Sequence, residues 1–180
     1  GRFSHALLEQ LPGIQAAARL RLQPRQIIKV GDKTLYEDGG AFADPSFLQI
    51  FSIPLLYGDR QNVLAAPDAM VVSQSFAHKY FGSRMAAGQT VEYMGRGFHV
   101  TGVFKDFPAD SSLRFNFLCS LKRLETDPFI PVDWYSDYFL TFVQVHDPVQ
   151  IPDLQNQLQR IILKHAPLFA KSKSTFRLQA

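Results

Sequence analysis

The stretch VVSQSFAHKYFGSRMAAGQTVEYMGRGFHVTGVFKDFPADSSLRFNFLCSL, which runs from Val71 to Leu121, decides the fold of this 180-residue chain. It opens with a short apolar strand, and the hydroxyl of Ser73 is suited to cap a helix over Gln74–Phe81. Gly82 then supplies the left-handed residue that commonly ends a helix. Residues 89–104 alternate between apolar and polar around the turn Gly95-Arg96-Gly97, which predicts a β-hairpin. The stretch therefore predicts a strand, a helix and a hairpin in succession.

Apolar periodicity predicts further elements on both sides of this stretch. A first helix is predicted over residues 3–11, where apolar residues recur at helical spacing until Pro12-Gly13 ends the pattern. Asp44-Pro45 predicts the start of another short helix, because an Asp side chain can cap free N–H groups. Further strands are predicted at residues 14–22, 26–36 (two short strands), 41–44, 69–72, 114–121, 139–145 and 174–178, and a long helix follows Pro152. These elements predict an α+β domain whose first and last segments share one sheet.

The succession within residues 71–121 resembles the MacB-like periplasmic core domain, the extracytoplasmic module of bacterial ABC transporter permeases related to FtsX. Two upstream segments, Leu11-Pro12-Gly13-Ile14 and DPSFLQIFSIPLLYGD at Asp44–Asp59, are similar to that family's helix-ending turn and its Phe-rich entry into an inserted lobe. The resemblance implies a two-lobed α+β fold. Residues 1–45 and 111–180, the two chain ends, would form a membrane-proximal, porter-like α/β sandwich lobe. Residues 46–110 would form an inserted, mostly-β, sabre-like lobe.

The resemblance also implies a mechanical function for a periplasmic domain of a multi-pass bacterial inner-membrane protein. Separate cytoplasmic ABC ATPase subunits would bind and hydrolyse ATP, and transmembrane helices on both sides of this segment would carry the resulting motion to the domain. The other partners implied are a second permease subunit in a dimer and a periplasmic protein or lipoprotein. The family includes exporters, lipoprotein releasers and activators of cell-wall hydrolases, and no residue of this chain discriminates among them.

A free-standing extracytoplasmic module that binds a ligand or a protein is the alternative. Such a module would keep a deep pocket lined by aromatic residues, and it would be encoded with a signal peptide and without flanking membrane helices. The opening residues show no apolar region typical of a signal peptide. About 20 apolar residues encoded on each side of the segment would identify the permease instead.

Composition indicates a folded domain, because 46% of the residues are apolar and 19% are charged. No apolar run approaches the roughly 18 residues that a membrane-spanning helix needs. The net charge is only +3, and the densest basic group is predicted to form one exposed strand face. That group consists of Arg19, Arg21, Arg25 and Lys29. No zinc-finger, helix-turn-helix or RNP-type motif accompanies these residues, which argues against a nucleic-acid partner.

Catalytic and metal-binding motifs are missing from the sequence. It contains no Gly-Lys dipeptide, and hence no Walker A phosphate loop, and no Gly-x-Ser-x-Gly elbow. The five histidines never lie three or four residues apart, so no local metal site is predicted. The single cysteine, Cys119, lies in an apolar run typical of a buried strand. The sequence therefore predicts a protein that is not an enzyme and has no catalytic residue, cofactor or metal.

Two groups of residues are candidates for function. Trp134, Tyr135 and Tyr138 are a candidate surface for a partner or ligand, because aromatic residues carry much contact energy at interfaces. Packing in the core is the commoner role for such residues and remains the alternative. The second group would hold the membrane-adjacent helices onto the sheet and so couple their motion to the domain. Its members are Phe3, Leu7 and Leu8 near the start and Leu158 and Ile162 near the end.

Overall fold

The computed structural model describes residues 2–82, 86–126, 139–147 and 151–167, apart from the side chains of Arg2, Phe3 and His5. The helices are α1 (Arg2–Gln10), α2 (Phe47–Ile50), α3 (Gln74–Phe81), α4 (Lys122–Glu125) and α5 (Ile151–His165). The strands are β1 (Ile14–Gln23), β2 (Gln26–Val30), β3 (Lys33–Glu37), β4 (Gly40–Ala43), β5 (Leu55–Tyr57), β6 (Ala69–Ser73), β7 (Thr90–Tyr93), β8 (Arg96–Phe104), β9 (Phe117–Ser120) and β10 (Leu140–Val145). The strand predicted at residues 174–178 lies outside the described residues.

All of these strands belong to one mixed sheet with the order β10-β1-β4-β9-β6-β8-β7-β2-β3, and β5 pairs with β8. The pairs β4–β9 and β6–β8 are parallel, and the remaining pairs are antiparallel. Near the two chain ends, β1 and β10 pair from Ile14–Val145 to Leu20–Leu140. The predicted α+β class is confirmed, and the predicted strand at residues 139–145 shares a sheet with the first strand.

The two faces of the sheet carry separate cores, because successive side chains of a strand point to opposite faces. Phe117 packs in the core beneath α3 and α4, together with Phe42. Its neighbour Leu118 packs on the other face together with Leu20 and with Phe47 of α2. Complete burial of an apolar side chain of this size contributes about 1.5–3 kcal/mol to folding. Both faces of the central strands are therefore covered.

The local signals in the deciding stretch are confirmed at atomic detail. The Ser73 hydroxyl accepts the Phe76 N–H at 3.1 Å and caps α3. Gly82 ends that helix with a φ of +69°. The hairpin turn is one step earlier than predicted, because Tyr93 pairs with Arg96 and leaves only Met94 and Gly95 in the turn. Both turn residues have positive φ, as the tight hairpin turn requires.

The division into two lobes at residues 46 and 110 stays a prediction. The sheet itself is continuous across both boundaries, since β9 pairs with β4 on one side and with β6 on the other. Of the helices in the described ranges, none has the length and apolarity needed to cross a bilayer.

Gly58 is the glycine at which close packing and backbone conformation coincide. Its φ is +104°, and a methyl group there would lie 2.7 Å from the Thr101 carbonyl oxygen and 2.7 Å from Val63 Cγ1. We expect Gly58→Ala to lower the free energy of unfolding by about 4 kcal/mol, because it adds backbone strain to overpacking. Urea unfolding of the 180-residue chain measures this effect.

Gly82→Ala is the matched control for Gly58→Ala. Gly82 also has positive φ, but no atom lies within 4 Å of the position that a methyl group would occupy. Its cost should be limited to the backbone, at about 1–2 kcal/mol. Equal costs at the two positions would show that the contacts around Gly58 are not tight.

Candidate functional site

The helices near the two ends of the chain, α1 and α5, meet in one apolar cluster over β1 and β10. Leu7 of α1 is 2% exposed, and Leu158 and Ile162 of α5 are 5% and 4% exposed. The buried members of the cluster are Leu7, Leu11, Ile14, Leu154, Leu158, Ile161 and Ile162, with Val143 and Val145 of β10 packed against them. We call this set the chain-end cluster.

Helical periodicity explains why these residues gather on one side of each helix. From Leu154, the buried residues of α5 recur at i+4, i+7 and i+8, which places them on a single face. Leu7 and Leu11 lie one turn apart and present a similar stripe. Beside the cluster, Gln10 Nε2 and His165 Nε2 lie 3.5 Å apart and link the ends of the two helices. The helices are thus held to each other as well as to the sheet.

The structure brings together three of the five residues predicted to hold the end helices onto the sheet. Leu7, Leu158 and Ile162 all lie in the chain-end cluster. Leu8 does not, because it is 42% exposed on the outer side of α1, so its predicted packing against the sheet is wrong. Phe3 lies in α1, and its side chain is outside the described part of the structure. The coupling role of these residues stays a prediction.

The aromatic residues predicted as a partner or ligand surface, Trp134, Tyr135 and Tyr138, lie outside the described residues. Their role also stays a prediction. Phe139, which follows them, is described and packs against the core that contains Phe42 and Phe117.

An ion-pair network is centred on the buried Arg19 of β1, the strand that also carries Ile14 of the chain-end cluster. Arg19 of β1 donates from Nε and Nη2 to the two carboxylate oxygens of Asp44, both at 2.8 Å. Nη2 also donates to Glu125 Oε1 of α4 at 2.8 Å. Burial opposes the charge of Arg19, but the two carboxylates outweigh it and raise the pKa of the guanidinium. The network fastens β1 to the end of β4 and to α4.

Two predictions are corrected by this network. Arg19 was expected on an exposed basic face, yet it is 5% exposed because the carboxylates draw its head inward. Asp44 was expected to cap α2 with its side chain. Instead, its carboxylate also accepts the Arg19 backbone N–H at 2.9 Å, and α2 begins after Ser46 without a side-chain cap.

A second polar network joins β3 to α3 around the buried carboxylate of Glu37. That carboxylate accepts from the Tyr80 hydroxyl at 3.0 Å and from Asn116 Nδ2 at 2.7 Å, and it pairs with Lys79. Burial and the neighbouring carboxylate raise the pKa of Tyr80, so its hydroxyl stays protonated and remains a donor. The distal strands of the sheet are therefore also tied to a helix.

Three kinds of potentially reactive group can be assessed among the described residues. No group of three His, Cys, Asp or Glu side chains within these residues could hold a metal ion. The Cys119 thiol is fully buried, and burial raises its pKa, so it is not a reactive thiolate. The Asp106 carboxylate accepts the Ser75 hydroxyl at 2.7 Å and the Ser75 backbone N–H at 3.0 Å, which makes it a cap of α3.

The Asp106 cap predicts a pH-dependent contribution to stability. Burial raises the pKa of Asp106, but hydrogen bonds from Ser75 and Ser73 outweigh burial and leave that pKa below its usual value. A carboxyl group whose pKa is lower in the folded state than in the unfolded state stabilises the fold when the pH is above the unfolded-state pKa, about 4 for Asp. This stabilisation is lost as the pH falls through the folded-state pKa. We expect Asp106→Asn to cost about 0.5–1 kcal/mol at neutral pH, because solvent screens this exposed group.

Urea unfolding at pH 7 and near pH 3 tests this expectation, with the exposed Asp110→Asn as the matched control. The cost of Asp106→Asn should shrink at the lower pH, and the control should show little cost at either. An equal cost of Asp106→Asn at both values would contradict the role of the charge.

Comparison with known proteins identifies the family. Residues 2–161 match the family model of the MacB-like periplasmic core domain. This chain belongs to the MacB-like family. No curated protein shows a significant match to the sequence. MacB-like core domains are extracytoplasmic parts of ABC transporter permeases, which work with ATPase subunits, and the family consists of transporter domains rather than enzymes.

Solved structures similar to this MacB-like chain share its fold. A domain of a putative permease protein from Porphyromonas gingivalis has a TM-score of 0.79 at 23% identity, covering 92% of this chain and 76% of that one. The periplasmic region of MacB from Actinobacillus actinomycetemcomitans has a TM-score of 0.68 at 15% identity, covering 97% and 83%. The extracellular domain of the noncanonic ABC-type transporter YknZ from Gram-positive bacteria has a TM-score of 0.67 at 14% identity, covering 91% and 81%.

Proposed function

We propose that this MacB-like domain relays motion driven by ATP in cytoplasmic ABC subunits to the handling of a substrate or protein partner outside the membrane. It would do so as a passive element of a permease dimer, between transmembrane helices joined to its two ends. The reaction that supplies the energy would take place in the ATPase subunits. The domain would contribute stiffness and shape.

The chain-end cluster is the observation that carries this proposal. A force applied through α1 or α5 would reach β1 and β10 directly, because buried residues of both helices pack on these paired strands. Neither helix could shift without opening apolar contacts, which is costly in a close-packed interior. Motion of either helix would therefore be transmitted to the sheet instead of being absorbed at its edge.

The polar networks support transmission beyond the chain-end edge. The Arg19 network joins β1, a strand of the chain-end cluster, to the end of β4 and to α4. The Glu37 network joins the opposite edge strand, β3, to α3. Hydrogen-bonded networks of this kind rigidify the parts of a fold that they connect. Both edges of the sheet are thus fastened to helices.

Replacement of the domain in the intact permease tests the proposal. A flexible Gly/Ser linker in place of residues 2–167 should leave ATP hydrolysis by the complex measurable but abolish rescue of a strain that lacks the permease gene. The control is Asp32→Ser, a change confined to the exposed turn between β2 and β3. Full rescue by the linker variant would contradict the proposal.

The alternative function, a free-standing binding module, is decided by the residues encoded immediately before and after this segment. About 20 apolar residues on each side would support the permease, because such a length spans a bilayer. A signal peptide and no further apolar segment would support the module.

A further inference from the structure

The outer edge of β3 carries backbone groups that are free to pair with another strand. β3 ends the sheet, and within the described ranges no strand pairs with its outer side. The hairpin β2–β3 turns through only two residues, so Val30 and Lys33 form its first hydrogen-bonded pair. Hydrogen bonding to one neighbour alternates along an antiparallel strand. Alternate residues from Lys33 onward therefore direct their backbone groups to β2, and Thr34 and Tyr36, which lie between them, direct theirs outward.

This edge lacks the features that usually protect an exposed strand, which are charged side chains, proline and bulges. β3 contains no proline, and its pairing with β2 runs through five residues without a bulge. Its two charged side chains are drawn onto α3. The Lys33 amine donates to two carbonyls of the last turn of α3 at 3.3 and 3.2 Å, and the Glu37 carboxylate is buried in its network with that helix. Leu35 and Tyr36, in contrast, are 42% and 62% exposed.

We propose that β3 pairs antiparallel with β3 of a second copy of this chain, centred on Leu35. In this register Thr34 would exchange both backbone hydrogen bonds with the partner's Tyr36, and a β-branched residue opposite an aromatic one is a favourable pair. Leu35 would lie opposite the partner's Leu35.

The charges of β3 also favour a second copy in this register. Lys33 would lie opposite the partner's Glu37, so charges of opposite sign face each other at both ends of the paired strands. A parallel register would instead place like charges together, which is destabilising. Backbone groups, apolar side chains and charges are thus all complementary to themselves, which argues for a second copy over an unrelated strand.

Pairing through five residues of each copy would bury a small area, which is typical of weak and transient contacts. Two copies held in one permease dimer would meet at a raised effective concentration. In that setting the inference rests on the proposed function and adds the surface through which the two domains meet. On the isolated chain it stands alone. Absence of pairing there would leave the proposed relay untouched, and failure of the relay would leave the pairing untouched.

Disulfide formation at position 35 tests the proposal on the 180-residue chain. In the proposed register the two Cα atoms at this position lie about 4.5 Å apart, within the range that a disulfide needs. We expect Leu35→Cys to form a linked dimer about tenfold faster than Ile27→Cys, a preference that needs only about 1.4 kcal/mol of association. Ile27 is the matched control, because it is 51% exposed but lies on β2, away from the edge. Equal rates would overturn the proposal.

A proline on the edge tests the backbone hydrogen bonds. Adding Thr34→Pro to Leu35→Cys should lower the rate of linkage to that of Ile27→Cys, because proline removes an outward N–H that β2 does not use. Thr34→Ala keeps this N–H and should keep the faster rate. A thermal melt checks that the proline variant is folded. Linkage that is as fast with the proline as without it would overturn the proposal.

Opposite charges at position 35 keep the test decisive if Thr34→Pro does not fold. Leu35→Lys and Leu35→Glu are surface substitutions, and each alone would place like charges opposite each other in the proposed dimer. An equimolar mixture of the two variants should therefore associate more strongly than either variant alone, as measured by sedimentation equilibrium. Equal association of the mixture and of the separate variants would overturn the proposal.

Discussion

Replacing Leu158 and Ile162 together with alanine is expected to lower the free energy of unfolding of the 180-residue chain by about 4 kcal/mol or more. Both side chains are almost fully buried in the chain-end cluster, and each large-to-small change there costs about 2–5 kcal/mol. The two costs need not add, because the residues share one cluster. Urea unfolding measures the loss, and the single variants keep it measurable if the double variant is unfolded.

The same substitutions are expected to uncouple the intact permease. ATP hydrolysis by the complex should persist, while rescue of a strain without the permease gene should be lost. Leu8→Ala is the matched control, because Leu8 is exposed on the same helix that contributes Leu7 to the cluster. It should cost less than about 0.5 kcal/mol and leave rescue intact. A permease that works normally with a destabilised chain-end cluster would contradict the relay role.

Removing the Asp44 carboxylate is the second change with a large expected effect. Asp44→Ala would leave the buried guanidinium of Arg19 with only Glu125 as an ionic partner. Breaking a buried ion pair by removing one partner typically costs about 3–5 kcal/mol, because an uncompensated charge remains inside. Urea unfolding of the variant measures this cost.

The double variant Arg19→Met/Asp44→Leu separates the penalty of the isolated charge from the value of the pair. Apolar residues of similar size often replace a buried ion pair at little cost. We therefore expect this double variant to be more stable than Asp44→Ala. A cost below about 1 kcal/mol for Asp44→Ala would show instead that Arg19 finds compensation elsewhere.

Local signals made much of the fold predictable from sequence. Ser73 and Gly82 mark the two ends of α3 through backbone chemistry that depends only on neighbouring residues. The alternation in residues 89–104 predicts the hairpin. The three consecutive residues Gly95-Arg96-Gly97 are suited to a turn, so the predicted turn lies one step later than the observed one. Met94, with a φ of +52°, occupies a conformation that its residue type rarely adopts.

The candidate site was less predictable, because its contacts join distant parts of the chain. Leu7 and Leu8 are adjacent at the border of a helical stripe, and periodicity alone could not show that only Leu7 turns inward. Arg19 and Glu125 are 106 residues apart, and no local pattern connects them. The end of α2 and residues 105–108 also meet only through long-range pairing, since β5 pairs with β8.

Distances between spin labels in the intact permease test the relay most directly. Labels at Glu9→Cys and Thr34→Cys would span the sheet from α1 to β3. The native Cys119 is fully buried, so it should not react with the spin-label reagent. When ATP binds to the permease assembled with its ATPase subunits, the distance between positions 9 and 34 of the same protomer is predicted to stay constant. The distance between Thr34 labels on the two protomers should change. A distance that changes within the domain and stays fixed between protomers would contradict the account.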